Sequence, residues 1–433
     1  MASTVRKLLI PLAVATALGG MASSVVAGGF AIGTQSGSGT GNAFAGGAAA
    51  ADDASVAWFN PAAMTLIPGK QIAGALNVLK PSFKFENRGS TAAFSCVSPF
   101  PACPGGEGGD GGDWAVVPNA FFTMAFNPKL SFGLALNAPF GLKTEYDAGW
   151  RGDFTARKSE IKAVNINPSI AYKVSDTVSI GAGVSVQQLE AELTSNLALL
   201  GLGLFTLNAD DIGYGFNVGA LIQASPSTRI GAHYRSKIKY DLEGTVTFDT
   251  AAQGNGNVRA DLEVPDSFSL SIFHAEGNWE LMGDVTWTGW SSVQQLQVIR
   301  TSTATTVGPG GLFQGAEGAT LTTLQFQWDD TWRYAIGANY KLSSQTKLRF
   351  GFAYDETPTK DATRTARLPD QNRTWVALGV QFRPSKSGIL DLGYAHEFIQ
   401  DAKINNTVAG VGTLSGEFKN KADIFSIQYS QSF

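Results

Sequence analysis

Phe425-Ser426-Ile427-Gln428-Tyr429-Ser430-Gln431-Ser432-Phe433 closes the chain, with bulky apolar side chains mainly at odd positions and small polar ones at even positions. Successive residues of a β-strand face opposite sides of a sheet, so this spacing describes a strand with one apolar face and one polar face. Leu348-Arg349-Phe350-Gly351-Phe352-Ala353-Tyr354 repeats the pattern, as do Leu390 to Phe398, Trp332 to Tyr340 and Leu130 to Leu136. A soluble sandwich also alternates, but it buries the apolar face against a second sheet. Two features point instead to a wall that meets lipid. Tryptophans recur near the ends of the alternating segments (Trp150, Trp279, Trp287, Trp290, Trp332 and Trp375), as an interfacial girdle requires. The chain also ends in Phe433 on a strand, the usual close of an outer-membrane barrel.

Working outward, the connections alternate in length. Asn127-Pro128-Lys129, Ser175-Asp176, Ser225-Pro226-Ser227, Ser343-Ser344-Gln345 and Pro384-Ser385-Lys386-Ser387 are tight turns, whereas 87–113, 194–210, 249–258, 301–320 and 355–371 are long. Short periplasmic turns and long outer loops are the habit of bacterial membrane barrels. The expected fold is therefore all-β: a transmembrane barrel of about 14 antiparallel strands over residues 70–433. Composition agrees. Hydrophobic residues make up 44% of the chain and charged ones 16%, against about 25% charged in an average soluble domain. No apolar run of about 18 residues follows the amino-terminal leader, which excludes helical spans. A net charge of −4 leaves no basic surplus for a nucleic-acid partner.

Residues 1–27 read as a secretory signal peptide. Arg6 and Lys7 precede an apolar stretch, Leu8 to Leu18, and Val25 and Ala27 supply the small residues of a cleavage site. Cleavage after Ala27 leaves a mature chain starting Gly28-Gly29-Phe30. In such an exported chain Cys96 and Cys103 are expected to pair as a loop-closing disulfide, worth about 2–3 kcal/mol.

Residues 28–69 do not alternate. Ser36-Gly37-Ser38-Gly39-Thr40-Gly41-Asn42, Gly46-Gly47 and an alanine run lead to Ala51-Asp52-Asp53-Ala54-Ser55 and Asn60-Pro61-Ala62. A barrel of about 14 strands is too wide for side chains alone to fill, so this segment is expected to be a compact hatch, or plug, inside the lumen. Asp52 suits a helix N-cap and Asn60-Pro61 a turn or helix stop, with Asp53 in the same box.

These blocks, in this order, resemble the FadL-type outer-membrane transporters of long-chain fatty acids and other hydrophobic compounds. Phe30, the Ser36–Gly41 stretch, Ala51-Asp52-Asp53-Ala54 and Asn60-Pro61-Ala62 are similar to that family's hatch, and Phe140-Gly141-Leu142-Lys143-Thr144-Glu145-Tyr146 to its third strand. Trp287-Thr288-Gly289-Trp290-Ser291 and Leu368-Pro369-Asp370-Gln371-Asn372-Arg373 also match, and the resemblance runs to Phe433. It implies a hatch-closed barrel that catches a hydrophobic ligand outside, holds it near the mature amino terminus and releases it sideways at a kinked third strand. It also implies a Gram-negative outer-membrane location among lipid and lipopolysaccharide, insertion by the barrel assembly machinery, a monomer, and no cofactor.

The residues supply candidates for each step. Leu197, Leu199, Leu200, Leu202, Leu204 and Phe205 form an apolar stretch between strands, where an exposed patch would mark a capture surface, unless the loop packs on the barrel rim. Pro139, Phe140 and Gly141 interrupt the third strand, since proline removes a ladder donor and glycine weakens pairing; a lateral gate or a simple bulge would follow. Phe30, Gln297 and Arg300 are candidates for the inner pocket. Where fatty-acid members of the family carry basic side chains, this chain has Ser195 and Gln297, with Arg300 nearby and Arg333 and Arg349 expected to point inward. That departure keeps neutral or aromatic hydrocarbons open as cargo. No metal or catalytic centre is expected: His233, His274 and His396 are far apart, and no Gly-x-Ser-x-Gly elbow occurs. A general porin and a surface lipid hydrolase using His396 are the competing classes.

Overall fold

The computed structural model describes residues 28–92, 105–408 and 411–433; the signal peptide and both cysteines, Cys96 and Cys103, lie outside the described residues. The alternating segments pair antiparallel into a wall of fourteen strands, and the last pairs with the first over Gln71–Asn87 and Gly416–Ser432 to close it. In chain order the first six are β1 (Lys70–Asn87), β2 (Ala115–Ala125), β3 (Leu130–Asn137, resuming at Gly141–Glu145), β4 (Lys158–Lys173), β5 (Val178–Asn196) and β6 (Leu204–Ser225). Four broken strands follow: β7 (Thr228–Arg235, Ile238–Phe248), β8 (Gly256–Val264, Ser267–Glu276), β9 (Trp279–Thr288, Gln295–Arg300) and β10 (Thr320–Gln325, Thr331–Lys341). The wall ends with β11 (Thr346–Asp355), β12 (Arg373–Phe382), β13 (Gly388–Ile399, Ala402–Val408) and β14 (Gly412–Ser432). A short extra strand, Thr91–Ala92, lies along β14.

The burial of β14 shows which way the wall faces. Phe425, Ile427 and Tyr429 are exposed, while Ser426, Gln428 and Ser430 are buried. Leu76, Ile180, Phe216 and Ile336 are exposed in the same sense on other strands. An apolar outside and a polar inside is the reverse of a water-soluble fold and fits a wall solvated by lipid.

Two expectations about the wall need correction. The connection expected over 194–210 is mostly strand: β5 runs to Asn196, β6 begins at Leu204, and the two stay paired up to Asn196 and Leu204. Of the expected girdle, Trp279 and Trp332 are exposed on the wall, but Trp150, Trp290 and Trp375 are buried. Trp150 donates its indole N–H to the Ala156 carbonyl at 2.9 Å, Trp290 packs edge-on against Phe30, and Arg333 lies over the ring of Trp375.

Residues 28–68 pack against the polar face of the wall. Their helices are short: α1 (Gly37–Thr40), capped by the Ser36 hydroxyl on the Gly39 amide, and α2 (Val56–Phe59), followed by a 3₁₀ turn over Pro61–Leu66. Asn60 ends α2 through its amide to Val56 and caps the 3₁₀ turn by accepting the Ala62 amide. Asp52 is not the cap expected of it. It pairs with Arg349 at 2.8 Å, because a buried guanidinium on β11 requires a counter-charge more than a four-residue helix requires a cap. Asp53 instead accepts from the Ser55 amide and the Ser38 hydroxyl. Glycines on the wall make this packing possible. A Cβ at Gly231 would lie 1.9 Å from the Ala48 carbonyl oxygen, and one at Gly351 2.1 Å from the Asn42 carbonyl carbon.

Candidate functional site: a broken third strand closed by the amino terminus

β3 pairs with β2 only from Ala120↔Leu136 to Ala125↔Ser131, and after the break Gly141–Glu145 pairs with β4 alone. Pro139 has no amide to donate and disfavours helical geometry before it, so regular pairing stops here. The upper part of β2, Ala115–Asn119, keeps its bonds to β1 but has no β3 partner among the described residues. An unpaired strand edge is a template for another extended segment. Among the described residues no backbone segment takes that edge of β2; the amino terminus bonds instead to β3 at its break. The Ile32 amide donates to the Pro139 carbonyl at 2.8 Å and the Gly141 amide to the Phe30 carbonyl at 2.9 Å, so Ala31 and Phe140 form an antiparallel bridge.

Gln35 bridges the same break with its side chain. Its Nε2 donates to the Ile32 and Ala138 carbonyls at 2.7 and 2.8 Å, and its Oε1 accepts from Asn119 on β2 and Asn137 on β3 at 3.3 and 3.0 Å. Asn77 and Asn165 extend the chain of amides to β1 and β4. All five side chains are buried, so a polar ladder substitutes for the missing backbone one. Sequence reasoning missed it. The available signal was a set of asparagines at polar-face positions of adjacent strands.

Phe30 is held in aromatic surroundings: its ring centroid is 5.0 Å from Trp290, 5.7 Å from Phe140 and 5.8 Å from Trp328. Gly29 donates to Asp370 Oδ2 at 2.8 Å, and Gly28 to Asp355 Oδ2 at 3.4 Å. Asp370 is also paired with Arg373, which reaches Glu397. Phe140, Trp290, Trp58 and Phe59 are among the residues that line a cavity of about 220 Å³. Its polar lining includes Arg235 and His233 of β7 and Arg333 of β10. Arg235 stacks on Trp58, 3.4 Å from the ring centroid, and donates only to neutral groups, the Ser185 hydroxyl and the Trp58 carbonyl. Arg333 donates to the Ala43 carbonyl. Neither guanidinium has a carboxylate within 4.0 Å among the described residues. Asp284 and Asp355 also line the cavity; Asp284 accepts from Ser271 and Thr286 and Asp355 from Gly28, and the charge of Arg333 acts on both.

The loop between β11 and β12 covers this region. Arg367 reaches the Ser159 hydroxyl and the carbonyls of Lys158 and Thr194, and burial lowers its pKa to about 10. Tyr146 donates to the Ala366 carbonyl at 2.8 Å; burial, with Asp110 adding to it, raises its phenol well above the usual value.

The other sequence candidates fall elsewhere. Gln297 is exposed and bonded to Thr320 on the far face of its strand, so it is not brought to Phe30. Arg300 is buried, and its Nε and Nη2 donate to the Gln314 and Gly254 carbonyls at 2.5 and 2.6 Å, while its Nη1 has no partner among the described residues. Leu197, Leu200, Leu202 and Phe205 turn inward in one cluster with Phe248, Val307 and Phe313; Leu204 is half-buried and only Leu199 is exposed. The expected open apolar patch is therefore largely packed shut, since large apolar side chains in adjacent loops bury one another in preference to meeting water.

A closed fourteen-strand wall with an apolar exterior and an interior cavity beside a strand break defines an outer-membrane barrel of the transporter class. The chain belongs to the family described as outer membrane protein transport protein (OMPP1/FadL/TodX), whose model matches residues 19–433. It is 28% identical over 409 residues to outer membrane protein P1 of Haemophilus influenzae, covering 85% of each chain. It is 25% identical over 468 residues to the long-chain fatty acid transport protein of Escherichia coli K12, covering 98% of each. Among solved structures, a Pseudomonas aeruginosa FadL homologue superposes with a TM-score of 0.83 at 26% identity, covering 94% of this chain and all of that one. The Pseudomonas putida toluene transporter TodX shares the fold, with a TM-score of 0.67 at 16% identity over 92% of this chain and 98% of that one. The protein is thus a transporter of hydrophobic small molecules in the outer membrane of a Gram-negative bacterium, and not an enzyme.

Proposed function

We propose that this barrel imports long-chain fatty acids, and that they leave it sideways through the gap between β2 and β3. In this reading residues 28–69, exposed as the mature start once 1–27 are removed, are a hatch that fills the lumen and blocks a straight aqueous path. Cargo is caught where Leu197–Phe205 and the neighbouring loops separate, passes to the aromatic site of Phe30, and exits past Pro139, Phe140 and Gly141. The carrying observation is the pair of hydrogen bonds that Phe30 and Ile32 make to the broken strand, because they tie a segment outside the wall to the edge of the break. An apolar chain gains about 0.8 kcal/mol per buried methylene, so a route from greasy site to bilayer runs downhill where a watery pore does not.

The cavity beside Phe140 and Trp290 favours a cargo with an anionic end. Arg235 faces it with no carboxylate partner among the described residues, while Arg333 shares it with Asp284 and Asp355, neither within 4.0 Å; a half-buried cation such as Arg235 is stabilised by a ligand carboxylate. A second reading, uptake of neutral or aromatic hydrocarbons, is favoured by the Phe30 site itself, whose ring neighbours are all aromatic and from which Gln297 faces away. Binding of oleate, oleyl alcohol and toluene to the purified protein separates them. The fatty-acid reading expects the double variant Arg235→Ala, Arg333→Ala to weaken oleate by about tenfold or more, one charge-assisted hydrogen bond being worth about 1.5–3 kcal/mol, and to leave toluene unchanged. Tight toluene binding with no preference for oleate over oleyl alcohol would establish the second reading.

A further inference from the structure

The outward face of the β1–β14 seam carries a feature that cargo transport does not explain. From the periplasmic end, β1 presents Ile72, Leu76 and Val78 and β14 presents Tyr429, Ile427 and Phe425. The register then sets Lys80 opposite Asp423, Ser82 opposite Lys421 and Lys84 opposite Lys419. Phe433 to Asp423 is about the length of strand that crosses a bilayer, so this basic stretch begins where the hydrocarbon of the outer leaflet ends. Lys80 lies 4.9 Å from the ring centroid of Trp114, an exposed tryptophan placed as an interfacial anchor should be.

The charges are not balanced within the protein. Lys419 pairs with Asp401 and Glu417, and Asp423 is taken by His396 and Tyr394. Lys80, Lys84 and Lys421 are exposed and have no carboxylate within 4.0 Å among the described residues; the one nearby, Asp423, stands opposite Lys80 and is shared by Lys421 with His396 and Tyr394. Lys421 sits diagonally between the other two, at a separation where side chains on paired strands interact. Three like charges so placed repel, and the single carboxylate of Asp423 offsets only part of that repulsion, so a further anion is favoured there.

We propose that Lys80, Lys84 and Lys421 form a docking site for the phosphate groups of an anionic glycolipid of the outer leaflet. The acyl chains would lie on Val78, Phe425 and Ile427 below, and Trp114 would border the headgroup. A free anion satisfies only the charged half of this surface, whereas a phosphorylated lipid satisfies both. The site stands on the exterior register alone and does not depend on what the barrel carries.

The test uses the mature protein in detergent, titrated with diphosphorylated lipid A and with the same lipid stripped of its phosphates. The triple variant K80Q/K84Q/K421Q should bind the phosphorylated lipid about a hundredfold more weakly, each lysine near a lipid surface contributing about 1 kcal/mol. The control K70Q/K129Q/K386Q removes the same charge from the periplasmic end and should bind as the wild type does. Millimolar inorganic phosphate should fail to displace the lipid. Thermal unfolding of each variant confirms that it is folded. Undiminished binding by the first triple variant, an equal loss in the control, equal affinity for the stripped lipid, or full displacement by inorganic phosphate would each overturn the proposal.

Discussion

The carbonyl of Phe30 accepts the amide of Gly141 at 2.9 Å, joining the start of the mature chain to the point where the third strand resumes. Two such bonds flank the Ala31–Phe140 bridge, and a net of about 1 kcal/mol for each makes the closure breakable on the scale of a bound ligand. Tight enough to seal and weak enough to open is what a gate in the wall requires.

Gly29 is the first place to test this. Its φ is +68°, and a Cβ there would lie 2.8 Å from Trp290 Cζ2. Gly29→Ala combines left-handed strain of about 1–2 kcal/mol with a clash against the wall of the Phe30 site. Oleate affinity, measured by titration, should fall about tenfold or more while the barrel's melting temperature stays within a few degrees.

Gln35→Ala removes the amide that spans the break. The Asn119 and Asn137 side chains lose an acceptor, and the Ala138 carbonyl loses its donor. Hydrogen exchange at the Ile32 and Gly141 amides should accelerate by about tenfold or more, with protection in β12 unchanged, since about 1.4 kcal/mol is a tenfold change.

Asp52→Asn tests the contact between the amino-terminal segment and the wall. Arg349 keeps Asp391 but loses Asp52, and Lys347 keeps Glu280. A charge-assisted contact of this kind is worth on the order of 1–3 kcal/mol. If the segment is a lumen hatch, single-channel recordings should show frequent brief openings in the variant and almost none in the wild type.

Arg300→Ala should act on stability rather than on cargo. The loss of bonds to Gln314 and Gly254 unties the loops above β9 and should lower the unfolding midpoint, while oleate affinity stays within about twofold. A tenfold loss of affinity in a variant of unchanged stability would return Arg300 to the binding site.

The wall was legible in the sequence because period-two alternation is local. Phe425 to Phe433 and Leu348 to Tyr354 needed no distant partner to declare their faces. The same rule, applied to Gln295-Leu296-Gln297-Val298, would have set Gln297 apart from Arg300, as it is set apart in the fold. Pro139 announced the break, but what fills it is a segment more than a hundred residues away, and no local pattern encodes that pairing. Asp52 was misassigned for the same reason, since its partner Arg349 lies on the far side of the chain. Arg235, which faces the cavity, escaped notice because an isolated arginine on the polar face of a strand is ordinary until its lack of a counter-ion is seen.

The most direct test of lateral exit is to lock Ala31 to Phe140. They face each other as a non-hydrogen-bonded antiparallel pair, for which a Cα separation of about 4.5 Å is usual and a disulfide fits. In a background with Cys96→Ser and Cys103→Ser, Ala31→Cys and Phe140→Cys would be joined by oxidation, and fatty-acid uptake by cells measured before and after reduction. The account predicts that uptake stops when the bond forms and returns when it is reduced; undiminished uptake with the bond fully formed would contradict it.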